Sequence, residues 1–375
     1  MIYGNHEDRI RRIRKMMNKN NFDAIVLTNL TSLSYTAGTF HSLWNSGVAI
    51  VVPLQGEVTM IVPLGDSFRV KPETWIKDVR SWTPPFRNIK EIPYESLLVD
   101  VLKEKDLTKK VIGLEEEVLL WNTYNKLKDI LPNAEFRDVG AHMLKLMAIK
   151  DEEEIKLSRQ AAAIADKGIY AALECMKPGN TEYDLAAAAD YAMRKGGAEM
   201  FYAPTTVSAD YRLGPDHNPT ERILQKGDII KIDLHPVYKN YRSDRLITAV
   251  IGKPTPEFRK LADAVEAGTQ SMLEKSVPGS NGTAIYEAFT DTIEKYGFMD
   301  LDTTWYLGHG IGTGHLPPLI YPGDKTELEP NMIVCLNPLI FKPGIHSMME
   351  EFIIRITETK PEFMHKTPVE LIVIE

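Results

Sequence analysis

The chain has 375 residues, 43% hydrophobic and 26% charged, enough for two domains with substantial cores. Its net charge of -8, with both signs interspersed, provides no basic footprint and so argues against a nucleic-acid partner. No apolar run is long enough to span a membrane, MIYGNHEDRIRRIRKMM lacks the apolar core of a signal peptide, and two distant cysteines (Cys175, Cys335) make no disulfide framework, so a cytoplasmic protein without membrane partners is expected.

The first third alternates helix and strand signals. Ile10, Ile13 and Met17 recur at helical spacing, and FDAIVLTN (Phe22 to Asn29) then reads as a buried strand. GVAIVVPL and EVTMIVPL, joined by Gln-Gly, predict a hairpin, and KKVIGLEEE (Lys109 to Glu117) begins another strand. This is an α/β domain with scattered ionisable residues and no visible chemistry. KLMAIKDEEEIKLSRQAAAIADKGIYAALECMKPG reads as one long helical stretch ending at Pro178-Gly179. The domain boundary is placed within Lys145 to Asp151, giving domains 1–146 and 147–375.

The second domain contains an internal repeat. Pro178-Gly179 precedes a helical run ending at Gly196-Gly197, and Pro278-Gly279 precedes one ending at Gly297. LQKGDIIKIDLHPVY (Leu224 to Tyr238) matches LEPNMIVCLNPLIF (Leu328 to Phe341), setting Asp233 against Asn337. Asp244 and Glu351 follow at distances that suit returning hairpin strands. The expectation is an α+β domain of two related halves whose polar residues converge on one concave face.

Asp233 lies in the apolar run IIKIDLHP, where an unpaired carboxylate is costly, so either a metal or a partner such as Arg242 or Arg245 is required. Taken singly, Asp244 could be a turn residue, and one of Glu350-Glu351 could be solvated. GHGIGTGHLPP (Gly308 to Pro318) presents His309 and His315 in a glycine-rich segment, where the flanking glycines permit close backbone approach. DHNP (Asp216 to Pro219) adds His217 on a loop. Asp233, Asp244, His309 and Glu351 together suit Mn, Co, Fe or Zn in a water-activating site, with His217 and His315 handling protons or stabilising an oxyanion. Asn337 can offer a metal an oxygen, but it brings neither charge nor a base. His235, two residues along the strand from Asp233, should share its face as a substrate contact or replacement ligand, or else simply pack there.

The ordered series Asp233, Asp244, His309, Asn337, Glu351 resembles the pita-bread fold family of methionine aminopeptidase, Xaa-Pro aminopeptidase, prolidase and creatinase. RIRRIRKMMNKNNFDAIVLTN and SLSYTAGTF resemble the N-terminal domain of prolidase and creatinase, and LMAIKDEEEIKLSRQAA resembles the entry to the catalytic domain. The resemblance implies metal ligation by Asp233, Asp244, His309 and Glu351. It also implies substrate and proton handling by His217 and His315. Several positions depart from the family pattern. Its Asp-x-Gly is Asp233-Leu234-His235, its Thr-Arg-Thr is Leu246-Ile247-Thr248, the glutamate before its proline is Asn337, and His309 and His315 stand one residue closer than usual. HNPTERILQKGDII and Pro236 resemble metal-free creatinase, but Leu246 and Asn337 replace its catalytic glutamates. Three readings follow: a metal-dependent Xaa-Pro dipeptidase-like hydrolase, a creatinase-like hydrolase of another small C–N compound with one metal or none, and a non-catalytic binding homologue. The expected partners are a dipeptide or other small substrate and a second copy of the chain in a homodimer.

Overall fold

The structure is a computed structural model describing residues 5–39, 47–85, 90–209, 217–299, 302–303 and 306–375. The chain separates into two compact units, Met1–Met147 and Ala148–Glu375.

In the first unit, helix His6–Lys19 buries Ile10, Ile13 and Met17 on one face. Strand Ala24–Leu27, apolar and buried at every position, lies inside a six-stranded sheet. It pairs antiparallel with Ala49–Pro53 and parallel with Val111–Leu114. The Gln-Gly hairpin forms, with Ala49 opposite Ile61 and Val51 opposite Thr59. This is the α/β N-terminal domain.

The helical stretch expected from Lys145 onward is two helices, Gly140–Ala148 and Glu152–Cys175. Lys150 N–H bonds Asn331 O at 3.1 Å instead of continuing the helix. Asp151 then caps the new helix through a reciprocal pair, with Glu154 N–H on Asp151 Oδ1 at 2.8 Å and Asp151 N–H on Glu154 Oε2 at 3.0 Å.

The second unit is an α+β domain with a pseudo-twofold repeat. Helices Glu152–Cys175 and Glu182–Gly196 pair in one half, and Pro256–Lys275 and Gly282–Lys295 pair in the other. Equivalent tethers close both turns: Gly179 N–H bonds Leu224 O at 3.2 Å, and Gly279 N–H bonds Leu328 O at 3.0 Å. Ile169, Leu185 and Ile232 contribute to one apolar core, and Val265, Phe289 and Val334 to the other. Truncating a fully buried aromatic such as Phe289 to alanine would cost roughly 3–5 kcal/mol.

Each half contributes a bent hairpin. Ile229–Leu234 pairs with Arg245–Ile251, and its continuation Pro236–Tyr238 turns into another sheet with Tyr241–Arg242. In the second half Ile333–Leu336 pairs with Phe352–Arg355, and Leu339–Lys342 pairs with His346–Met349. The run Met332 to Phe341 is therefore two strands. The break falls at Asn337-Pro338, where proline has no N–H for the ladder. The halves meet where Leu246 and Glu351 exchange N–H···O bonds of 3.1 and 3.0 Å. The seam thus runs directly beside the acidic positions.

Candidate metal centre

Both hairpins deliver their polar side chains at the bends. Asp233 sits at the end of Ile229–Leu234, flanked across the sheet by Leu246 and Thr206. Asp244 and Glu351 each stand immediately before a returning strand. His309 belongs to strand Gly308–Ile311, and its flanking glycines explain the tight strand packing. A side chain at Gly308 would lie 2.3 Å from Cys335 O, and one at Gly310 would lie 2.3 Å from Pro317 O. Asp233, Asp244, His309, Asn337 and Glu351 are all buried.

Two groups of side chains converge and share Asp244. The ligand atoms of Asp244, His309 and His315 lie within 4.8 Å of one another, as do those of Asp233, His235, Asp244 and Glu351. His309 Nδ1 lies 2.9 Å from Gly310 O, a pure acceptor, so Nδ1 carries the proton. That turns Nε2 toward Asp244 Oδ2, 3.5 Å away. His235 is arranged alike: its Nδ1 is 3.1 Å from Pro204 O, and its Nε2 is 3.0 Å from Asp233 Oδ2 and 3.6 Å from Asp244 Oδ1. Asn337 Nδ2 donates to Glu351 Oε1 at 2.9 Å, while the amide Oδ1 is buried without a hydrogen-bond partner among the described residues. Imidazole nitrogens facing buried carboxylates, with an amide oxygen left over, form a donor set that fits a divalent cation of the borderline or hard class once the ion displaces the His235 proton.

The electrostatics reflect this crowding. Burial opposes the charged form of His235, but Asp233, through charge and hydrogen bond, and Asp244 outweigh it and raise the imidazole to about 9. Burial also opposes ionisation of Asp244, yet His309 and His235 hold it far below the usual carboxylate range. His315 has an exposed edge. Protein packed around it, together with the charges of His309 and Arg242, lowers it to about 4, so it is neutral at pH 7. Its ring stacks on His309 with centroids 3.9 Å apart. Cys335 faces the same acids, and burial with their charge keeps it a thiol. It is therefore no thiolate ligand.

Neither proposed arginine partners Asp233; His235 does. Arg245 instead bonds Glu350 Oε2 at 3.0 Å, Leu246 O at 2.6 Å and Glu351 O at 2.8 Å, clamping the seam. Glu350 is fully buried in that pair, so it is not solvated, and neither is Glu351. His217 lies partly buried on its loop and belongs to neither metal-capable group, while Asp216 falls outside the described residues. Tyr202 was not legible as a site residue, and Arg242 was legible only as a partner for Asp233. The Tyr202 ring packs T-shaped against His235 (5.0 Å) and His315 (6.1 Å), and the Arg242 guanidinium lies over that ring at 4.8 Å. The parity of Arg242 with Asp244, two residues on, was the one available signal.

Two bent hairpins focusing carboxylates and imidazoles on a shared aspartate define a metal-dependent hydrolase of the pita-bread class. Residues 156–359 match the model of metallopeptidase family M24, and residues 9–147 match the creatinase/prolidase N-terminal domain. The chain belongs to metallopeptidase family M24. It is 28% identical over 368 residues to an Xaa-Pro dipeptidase of Pyrococcus furiosus, covering 98% of this chain and 100% of that one. Among solved structures it is similar to the prolidase from Pyrococcus horikoshii OT3, with TM-score 0.82, 26% identity and coverage of 96% and 99% of the two chains. An Xaa-Pro dipeptidase from Bacillus anthracis gives TM-score 0.85 at 25% identity, covering 99% and 100%. Among the described residues no helix is long and apolar enough to cross a membrane.

Proposed function

We propose that this chain is a cytoplasmic, homodimeric metal-dependent dipeptidase that hydrolyses the amide bond of a short substrate, with Xaa-Pro dipeptides as the leading class. The observation that carries this reading is Asp244, shared by two ligand groups and faced by His309 Nε2. Asp233, Asp244, His309 and Glu351 would hold the ion, with His235 and Asn337 Oδ1 as neutral donors. A bound Mn, Co, Fe or Zn supplies Lewis acidity that polarises the scissile carbonyl and acidifies water. His315, neutral at pH 7 and open on one edge, can accept a proton during attack and return it to the leaving amine. His217 is assigned to substrate handling on the strength of the family resemblance. The test is proline release from a panel of Xaa-Pro dipeptides by protein loaded with each metal in turn. Activity abolished by a chelator and restored by metal is expected; no hydrolysis with any of the four metals would end this reading.

One observation favours a second reading, a creatinase-like hydrolase of another small C–N compound needing fewer metals. Protonated His235, 3.0 Å from Asp233, can itself supply positive charge between the two aspartates. Turnover that survives exhaustive chelation would select it.

A further inference from the structure

Arg242 is a cation at the site that forms no ion pair among the described residues. Its backbone N–H donates to Gly312 O at 2.9 Å, which ties it to the turn leading into His315. Its guanidinium carbon lies 4.8 Å from the centre of the Tyr202 ring, which packs T-shaped against His235 and His315. The residue is partly buried, yet among the described residues no carboxylate, carbonyl or hydroxyl accepts a hydrogen bond from the guanidinium. Arg245, three positions on, differs in this respect: its donors go to Thr367, Glu350 and three backbone carbonyls.

A partly desolvated guanidinium without a counter-ion is costly, and an aromatic face offsets only part of that cost. Asp244 is the nearby acid whose charge Arg242 feels, but its oxygens face His309 and His235. A bound metal would commit them further. Among the described residues no acid is left to pair with Arg242, and a ligand that brings its own anion would fill that place. A guanidinium placed over a tyrosine ring spends no hydrogen bond there, so its N–H groups stay available, and their spacing matches the two oxygens of a carboxylate.

We propose that Arg242, positioned by Tyr202, is the anion anchor of this site and takes the free carboxylate of a small substrate. For a dipeptide, this is its C-terminal carboxylate. The proposal rests on the hydrolase reading for its location, but it makes a separate claim about ligand charge. It favours acids over the matching amides and esters, and dipeptides over longer chains that extend past the anchor.

Titration calorimetry on the metal-loaded protein tests this with two acid–amide pairs, L-proline with L-prolinamide and acetate with acetamide. The wild-type protein should bind at least one acid roughly 10- to 100-fold more tightly than its amide, the range of a charge-assisted hydrogen-bonded pair. Arg242→Gln should remove that preference and leave amide binding unchanged. Arg242→Lys, which keeps the charge and loses the fork, should fall between and covers the case in which the glutamine variant does not fold. Equal binding of acid and amide by the wild-type protein, or an acid preference that persists in Arg242→Gln because the acid sits on the metal, would overturn the proposal. So would the absence of binding by either acid, even if the protein cleaves dipeptides. Conversely, Arg242-dependent acid binding in a protein inert toward Xaa-Pro dipeptides keeps the anchor and discards the dipeptidase reading.

Discussion

The first bent hairpin of the C-terminal unit carries His235 at its corner, with Nε2 3.0 Å from Asp233 and 3.6 Å from Asp244. The matching corner of the second hairpin carries Asn337, whose amide donates to Glu351 at 2.9 Å. The backbone solution is the same in both halves: a strand, a break, and a return strand with an acid in front of it. The chemistry has diverged. The first hairpin supplies two carboxylates and an imidazole, and the second supplies one carboxylate and an uncharged amide, its half adding His309 and His315 from a separate pair of strands. The scaffold dictates where the polar side chains stand and leaves their charge free to change. Affinity for a cation should follow charge, and so concentrate around Asp233 and Asp244.

The largest effect should come from the residue common to both ligand groups. Asp244→Ala is expected to weaken Mn or Zn binding by more than the roughly 10- to 100-fold typical of outer-shell changes, with hydrolysis lost in parallel. Calorimetric titration of the metal-free protein measures this, and near-normal affinity would move the centre elsewhere. The halves can then be set against each other. Asp233→Ala should cost on the order of 100-fold in metal affinity and Asn337→Ala no more than about tenfold, because a tenfold change is 1.4 kcal/mol, a fair upper value for one neutral donor. Equal losses would erase the asymmetry.

Acidity gives a third, smaller handle. The His235 value of about 9 exceeds the ordinary 6.5, since Asp233 and Asp244 outweigh the burial that opposes its charge. A group raised in this way stabilises the metal-free fold fully below pH 6.5, and the contribution is lost as pH rises through about 9. The melting temperature of metal-free protein should therefore fall between pH 6.5 and 9, and His235→Ala should flatten that slope. Metal uptake has the opposite dependence, strengthening over the same interval because the ion displaces a proton. The smallest change expected is in Asn337→Glu. A restored carboxylate should raise metal affinity roughly tenfold with little gain in Xaa-Pro hydrolysis, since Leu246 and Ile247 also depart from the peptidase pattern. Strong wild-type dipeptidase activity that disappears in Asn337→Glu would instead make the amide a working part of the site.

Much of this was legible because buried acids in apolar strands are expensive and conspicuous. IIKIDLHP announces Asp233, and the register with MIVCLNPLIF exposes the repeat and Asn337 together. The helix break at Ile149 to Asp151 was hidden because strong helix formers surround it and the competing acceptor, Asn331 O, is remote in sequence. Pro338 signalled the bend that splits the strand, but an apolar run on both sides masks it. Tyr202 escaped, and Arg242 was readable only as a partner for Asp233, for another reason. Their position over the site depends on two-residue strands, Met200–Phe201 and Tyr241–Arg242, too short to leave a periodic trace. His217 was readable as a residue type, but its relation to the cluster was not, because a loop sets it.

The asymmetry between the halves is tested most directly by counting metal. Asp233, Asp244 and Glu351 provide three carboxylates, and His235 competes as a cation for two of them. Protein purified without added metal and analysed by inductively coupled plasma mass spectrometry should carry one divalent ion per chain or less. A second ion should bind only on titration and with weaker affinity. Two ions per chain, retained through dialysis against buffer without chelator, would contradict the account.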